Sequence, residues 1–179
     1  MARLVGRRAA LAAVGAALAG TGTARADAPP RERWLWVQNG AGEEVATAYR
    51  SGQDYNLAAL ARLQHLFRDL RVQAPGPIPP LLIDMLSLLQ ERFGYMRPIR
   101  LISGYRTPQT NAMLPHAAPN SLHMRGWAAD IIVPGLSQAD VCTQAMTFSN
   151  MFGFMGVGWY GSFTHIDIGP KASWARSIS

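Results

Sequence analysis

Two separated stretches constrain the fold of this chain most: Ser121-Leu122-His123-Met124-Arg125-Gly126-Trp127-Ala128-Ala129-Asp130 and, much later, Thr164-His165-Ile166-Asp167. The first sets a histidine and an aspartate on either side of Gly126. Ala128–Val133 reads as a compact strand, so Asp130 projects from a strand face and His123 lies on the loop before it. Gly126 lets the backbone turn tightly between them. His165 belongs to a different strand candidate, Phe163–Ile168. For these three side chains to act together, the fold must bring distant segments side by side, and any metal they hold is then linked to folding. Two imidazoles and a carboxylate leave a fourth position open on zinc, the pattern of a catalytic rather than a structural centre. The competing reading is that they are surface residues or hydrogen-bonded core residues.

The rest of the chain supplies elements around this constraint. Trp34-Leu35-Trp36-Val37, the turn chemistry of Asn39-Gly40 and Gly42, and Val45–Tyr49 predict an N-terminal β-hairpin. Leu57, Leu60, Leu63, Phe67 and Leu70 recur at helical spacing behind Asn56 as N-cap. Pro75-Gly76-Pro77-Ile78-Pro79-Pro80 breaks that helix and leads into a second, from about Leu81 to Phe93. Ile99–Ser103 predicts a short strand running into Gly104-Tyr105-Arg106-Thr107-Pro108. Gln109 to Asn120 reads as a long polar stretch. Ser137-Gln138-Ala139-Asp140 opens a helix with a capping-box pattern, and strands near Phe154–Trp159 and Phe163–Ile168 flank a Tyr160-Gly161-Ser162 turn. Helices precede short strands without regular βαβ alternation, so the class is α+β.

The first residues read as an export signal. Arg3, Arg7 and Arg8 precede the apolar run Ala9–Ala19, and Ala24-Arg25-Ala26 supplies a cleavage site, so the mature domain is residues 27–179. The run is too short to span a bilayer, which favours a cleaved signal over a membrane anchor. Arg7-Arg8 before Ala9-Ala10-Leu11 resembles a twin-arginine signal. Residues 1–26 carry Arg3, Arg7, Arg8 and Arg25 and no acid, so cleavage takes the formal charge from +6 to +2. That removes the electrostatic case for nucleic-acid binding. Cys142 is the only cysteine, so no internal disulfide holds an exported domain together. On the predicted helix Ser137–Asn150 it reads as a buried, inert thiol.

Ser121-x-His123-x-x-Gly126-x-Ala128-x-Asp130, the earlier Ser103-Gly104-Tyr105-Arg106-Thr107 and the final Gly156-Val157-Gly158…His165-Ile166-Asp167 together resemble the zinc D-alanyl-D-alanine carboxypeptidase and murein endopeptidase family, in its small exported branch. The resemblance spans most of residues 30–175. It implies a hedgehog/DD-peptidase-like fold with a small antiparallel sheet and flanking helices, and one zinc ion on His123, Asp130 and His165. It further implies hydrolysis of peptidoglycan stem peptides in the periplasm, with endopeptidase cleavage of cross-links favoured over D,D- or L,D-carboxypeptidase trimming.

Arg106 matches a substrate-binding and transition-state arginine of that family, and its planar fork suits a carboxylate or a polarised carbonyl. Ser121 matches a position implicated in binding substrate carboxylates in that family, with a plain loop serine the alternative. Trp159 and Tyr160 are candidates to line a peptide or sugar groove, with core packing the alternative for Trp159. Asp167 shares a strand face with His165, either orienting an active-site group or acting as general base. Many relatives place the basic acid three residues before the last histidine, where this chain has Ser162. A wall-binding module that keeps the metal cradle without catalysis is the reading this departure leaves open. A solvated loop position is expected for His116, and a polar helix face for His65.

Overall fold

The computed structural model describes residues 30–176, and the expected export signal lies outside the described residues. The hairpin forms as predicted, with β1 (Glu32–Asn39) antiparallel to β2 (Glu44–Ser51). Asn39 closes the turn by accepting from the amides of Ala41 and Glu43 through Oδ1, at 3.0 and 3.1 Å, an Asx-type turn. A two-residue β3 (Asp54–Tyr55) extends the hairpin edge. Helix α1 (Leu57–Leu66) starts where Asn56 Oδ1 accepts from the Ala59 amide at 3.0 Å. The proline-rich break then delivers α2 (Pro80–Arg92), with Pro80 in its first turn, where no amide donor is missed.

Beyond α2 come β4 (Ile99–Ser103), α3 (Pro108–Met113), a 3₁₀ turn (Leu122–Arg125), β5 (Ala128–Ile132), α4 (Gln138–Phe152), β6 (Phe154–Trp159), β7 (Thr164–Pro170) and β8 (Ala172–Ala175). Ser137 caps α4 through the Asp140 amide at 3.1 Å. The polar stretch after residue 108 is thus partly helical. Thr107 Oγ1 caps α3 through the Thr110 amide at 3.1 Å with Pro108 behind it. Its six residues are too few to show a helical period in the sequence.

The expected small antiparallel sheet is instead an eight-stranded mixed sheet, ordered β3-β2-β1-β4-β5-β7-β6-β8. The long crossover through α1 and α2 brings β4 back parallel to β1, joining the hairpin to the second half. At the other edge β8 lies parallel to β6. Its sequence, Ala-Ser-Trp-Ala, is too short and too weakly apolar to announce a strand. Leu35 and Val37 of β1, Leu82, Leu86 and Leu89 of α2, Ile99 of β4, Ile131 of β5 and Ile166 of β7 all sit in one buried cluster. Cys142 belongs to the same cluster, its thiol pushed up by burial. His65 is exposed on α1. Among the described residues no helix is long and apolar enough to cross a membrane.

Gly126 ends the 3₁₀ turn in the left-handed region (φ 67°), and a Cβ there would stand 1.5 Å from the carbonyl oxygen of Pro77. No side chain fits both demands. Gly126→Ala is expected to cost more than about 2 kcal/mol in urea unfolding.

Candidate metal centre

Register explains how the separated motifs meet. Asp130 on β5 pairs with Ser103 on β4 and with His165 on β7. His165 in turn pairs with Gly158 on β6, which pairs with Trp174 on β8. Paired residues project from the same face of a sheet, so Ser103, Asp130, His165, Gly158 and Trp174 form one row across five strands. Asp130 and His165 alternate with the core residues Ala129, Ile131 and Ile166, which places the row on the face opposite the core.

His123 reaches the row from the 3₁₀ turn. Its Nδ1 lies 2.7 Å from the Gly104 carbonyl oxygen; a carbonyl only accepts, so Nδ1 carries the proton and Nε2 presents a lone pair. That Nε2 lies 3.2 Å from Asp130 Oδ1 and 3.2 Å from His165 Nδ1, while His165 Nδ1 is 2.8 Å from the same Oδ1. The ligand atoms of the three buried residues all fall within 4.8 Å of one another. His165 Nε2 is held by Asp167 Oδ2 at 3.1 Å. Asp130 Oδ2 accepts from Arg106 Nη2, leaving Oδ1 to face the imidazoles. Three converging donor atoms, each side chain fixed by a second partner, could hold a metal ion.

The electrostatics follow from this packing. Burial works against the charge on Asp130, yet the adjacent imidazoles of His123 and His165 hold its carboxyl far below the usual range. Burial pushes the His123 imidazole down. His165 also loses solvation, but its hydrogen bonds to Asp130 and Asp167 outweigh that and raise it to about 9. Asp167 is lowered, because its bond to His165 and the amides of Gly169 and Gly156 overcome the cost of burial.

The two glycines of Gly156-Val157-Gly158 are spaces in β6. A Cβ on Gly156 would meet Asp167 Oδ2 at 2.2 Å, and one on Gly158 would meet the Trp174 indole at 2.6 Å. Asp167 fills the first space, accepting from the Gly156 and Gly169 amides at 3.0 and 2.8 Å. Trp174 fills the second, its ring centroid 5.3 Å from that of His165.

Ser103, Asp130, His165 and Trp174 of this row line a groove of about 970 Å³. Arg106, Ser121 and Tyr160 line it together with the three ligand residues. Arg106 is tied by Nε to Ser103 Oγ at 2.7 Å and by Nη2 to Asp130, while Nη1 has no hydrogen-bond partner among the described residues. Trp159 departs from the groove-lining expectation: it packs against the hydrophobic core, and Trp174, on a strand with no sequence signal of its own, lines the groove instead. His116 is exposed on the groove rim with a left-handed backbone (φ 64°). Ser162 is exposed in the β6–β7 turn and does not line the groove.

Asp69 is a further residue that holds the site in place. It is buried after α1 and accepts from the Thr107 amide at 2.8 Å and the Thr107 hydroxyl at 2.9 Å, anchoring the Arg106 loop. An acid at the end of an apolar helix carries no local signal of such a long-range role.

A family model described as peptidoglycan L,D-endopeptidase MepK matches residues 26–174. The chain belongs to this family. It is similar to the peptidoglycan L,D-endopeptidase MepK of Escherichia coli, 35% identical over 169 residues that cover 90% of this chain and 91% of the relative. It is also similar to the probable peptidoglycan L,D-endopeptidase MepK of Haemophilus influenzae, 31% identical over 153 residues covering 81% of this chain and 80% of the relative.

Because Asp167 fixes the His165 ring, Asp167→Asn is expected to weaken metal binding about 10- to 100-fold, read by competition with a chromogenic chelator. Gly156→Ala, which displaces the same carboxylate, is expected to weaken binding in the same direction.

Proposed function

We propose that this protein is a zinc-dependent peptidoglycan L,D-endopeptidase of hedgehog/DD-peptidase-like fold that cleaves peptide cross-links. The observation that carries the reading is the buried His123–Asp130–His165 set in the lining of a groove that continues to both sides. Leu70 and Arg71 line the groove beyond β4, and Trp174 and Arg176 line it towards β8. A cross-link places peptide on both sides of the scissile bond, whereas a carboxypeptidase needs only one side to continue. The family relatives, named L,D-endopeptidases, favour the same bond class.

His123, Asp130 and His165 would hold the zinc ion, which would supply Lewis acidity and a water of lowered pKa as nucleophile for an amide carbonyl. His123 and Asp130 arrive preset, one by the Gly104 carbonyl and the other by Arg106. The uncommitted Nη1 edge of Arg106 is available to the oxygen on which negative charge develops, a stabilisation worth most where water is excluded. Ser121, whose hydroxyl makes no hydrogen bond among the described residues, offers a donor to a substrate carboxylate. Asp167 serves as the carboxylate that orients His165, since both its oxygens are already engaged. Ser162, exposed and outside the groove lining, takes no part in proton transfer. The mature chain begins near Asp27 after export, by the twin-arginine route suggested by Arg7-Arg8, and works in the periplasm on the wall.

Zinc-loaded residues 27–179 are expected to release fragments from purified sacculi and to cleave defined cross-linked muropeptides, with products identified by mass spectrometry. His123→Ala is expected to lower turnover by at least about a thousandfold. Binding to sacculi without any fragment release from the zinc-loaded protein would instead make this a wall-binding module.

A further inference from the structure

Tyr160 is fixed from three directions. Its ring stacks on Phe163 with centroids 4.7 Å apart and planes 12° from parallel. Its amide donates to the Phe163 carbonyl at 3.1 Å. Its hydroxyl oxygen accepts from Trp174 Nε1 at 2.9 Å. Trp174 takes that position over Gly158, where any Cβ would stand 2.6 Å from the indole nitrogen.

An indole N–H only donates, so the tyrosine oxygen is the acceptor of this bond and its own O–H points elsewhere. Among the described residues that O–H has no acceptor. Tyr160 and Trp174 both line the groove that holds the metal ligands, and Trp174 lies beside His165. A hydroxyl with its ring clamped and its proton uncommitted is a preorganised donor, which costs little ordering on binding.

We propose that Tyr160, positioned by Trp174, donates a hydrogen bond to a carbonyl or carboxylate oxygen of the peptide bound on the β6–β8 side of the metal centre. Tyr160 is the contacting residue, and Trp174 acts through it. The kinetic part of this inference rests on the hydrolase reading, and the binding part does not.

Tyr160→Phe keeps the ring stack and removes the donor. It is expected to lower kcat/KM for a defined cross-linked muropeptide about tenfold, chiefly through KM, with the melting temperature unchanged. Trp174→Phe is expected to lower kcat/KM in the wild-type background and to have much less effect in the Tyr160→Phe background, the non-additivity of a residue acting through another. A kcat/KM for Tyr160→Phe within twofold of wild type, or a Trp174→Phe effect of full size in both backgrounds, overturns the proposal. If the wild-type protein cleaves nothing, the hydrolase reading fails and calorimetry decides the tyrosine. The same muropeptide titrated into His123→Ala and into His123→Ala/Tyr160→Phe should bind about tenfold more weakly to the second, whereas equal affinities or no binding to either overturn it.

Discussion

Strand register is the constraint on which the site depends. Asp130, His165, Gly158 and Trp174 meet because β5, β7, β6 and β8 pair in one alignment. A slip of one residue in any ladder would turn a side chain of this row to the opposite face. The alternating residues Ala129, Ile131 and Ile166 are buried in the core, so such a slip would expose apolar surface while burying polar groups. Hydrophobic burial on one face therefore fixes the geometry of the candidate metal group on the other.

The same face buries charge, and it does so by leaving no member of the cluster unpaired. Asp130 divides its oxygens between the imidazoles and Arg106. Asp167 divides its oxygens between His165 and two backbone amides. A buried ionised group is tolerated when paired and hydrogen-bonded in this way. The price of that completeness is rigidity in the supporting residues, which suits a site whose ligands must stay aimed at one point. Hydrogen-bonding capacity left over among the described residues lies in the outer edge of Arg106 and the hydroxyls of Ser121 and Tyr160.

Much of this was legible in the sequence, for identifiable reasons. The hairpin, α1, α2, β4 and α4 announced themselves through turn residues, caps and long apolar periods. The three residues brought together in the centre could be named because their motifs are local in sequence. What escaped were features set by tertiary contact alone. The parallel pairing of β1 with β4 depends on where a crossover returns. The strand β8 has one large side chain, which matters only because Gly158 makes room for it. Trp159 and Trp174 illustrate the limit: two tryptophans near the same motif, one spent on the core and one on the groove, with only strand register to tell them apart.

Asp69 gives the molecule a particular indivisibility. All three candidate metal ligands, Arg106 and the groove aromatics lie between residues 103 and 174, so a fragment starting at β4 would retain every group expected to do chemistry. It would still lack the carboxylate that grips Thr107, the Phe67 carbonyl that receives the Tyr105 amide at 2.8 Å, and the Gly76 backbone against which the Tyr105 ring rests. The first half of the chain supplies no ligand, yet it is the jig in which the Arg106 loop is set. Shortening the protein to its chemically active residues would thus leave the parts without the alignment.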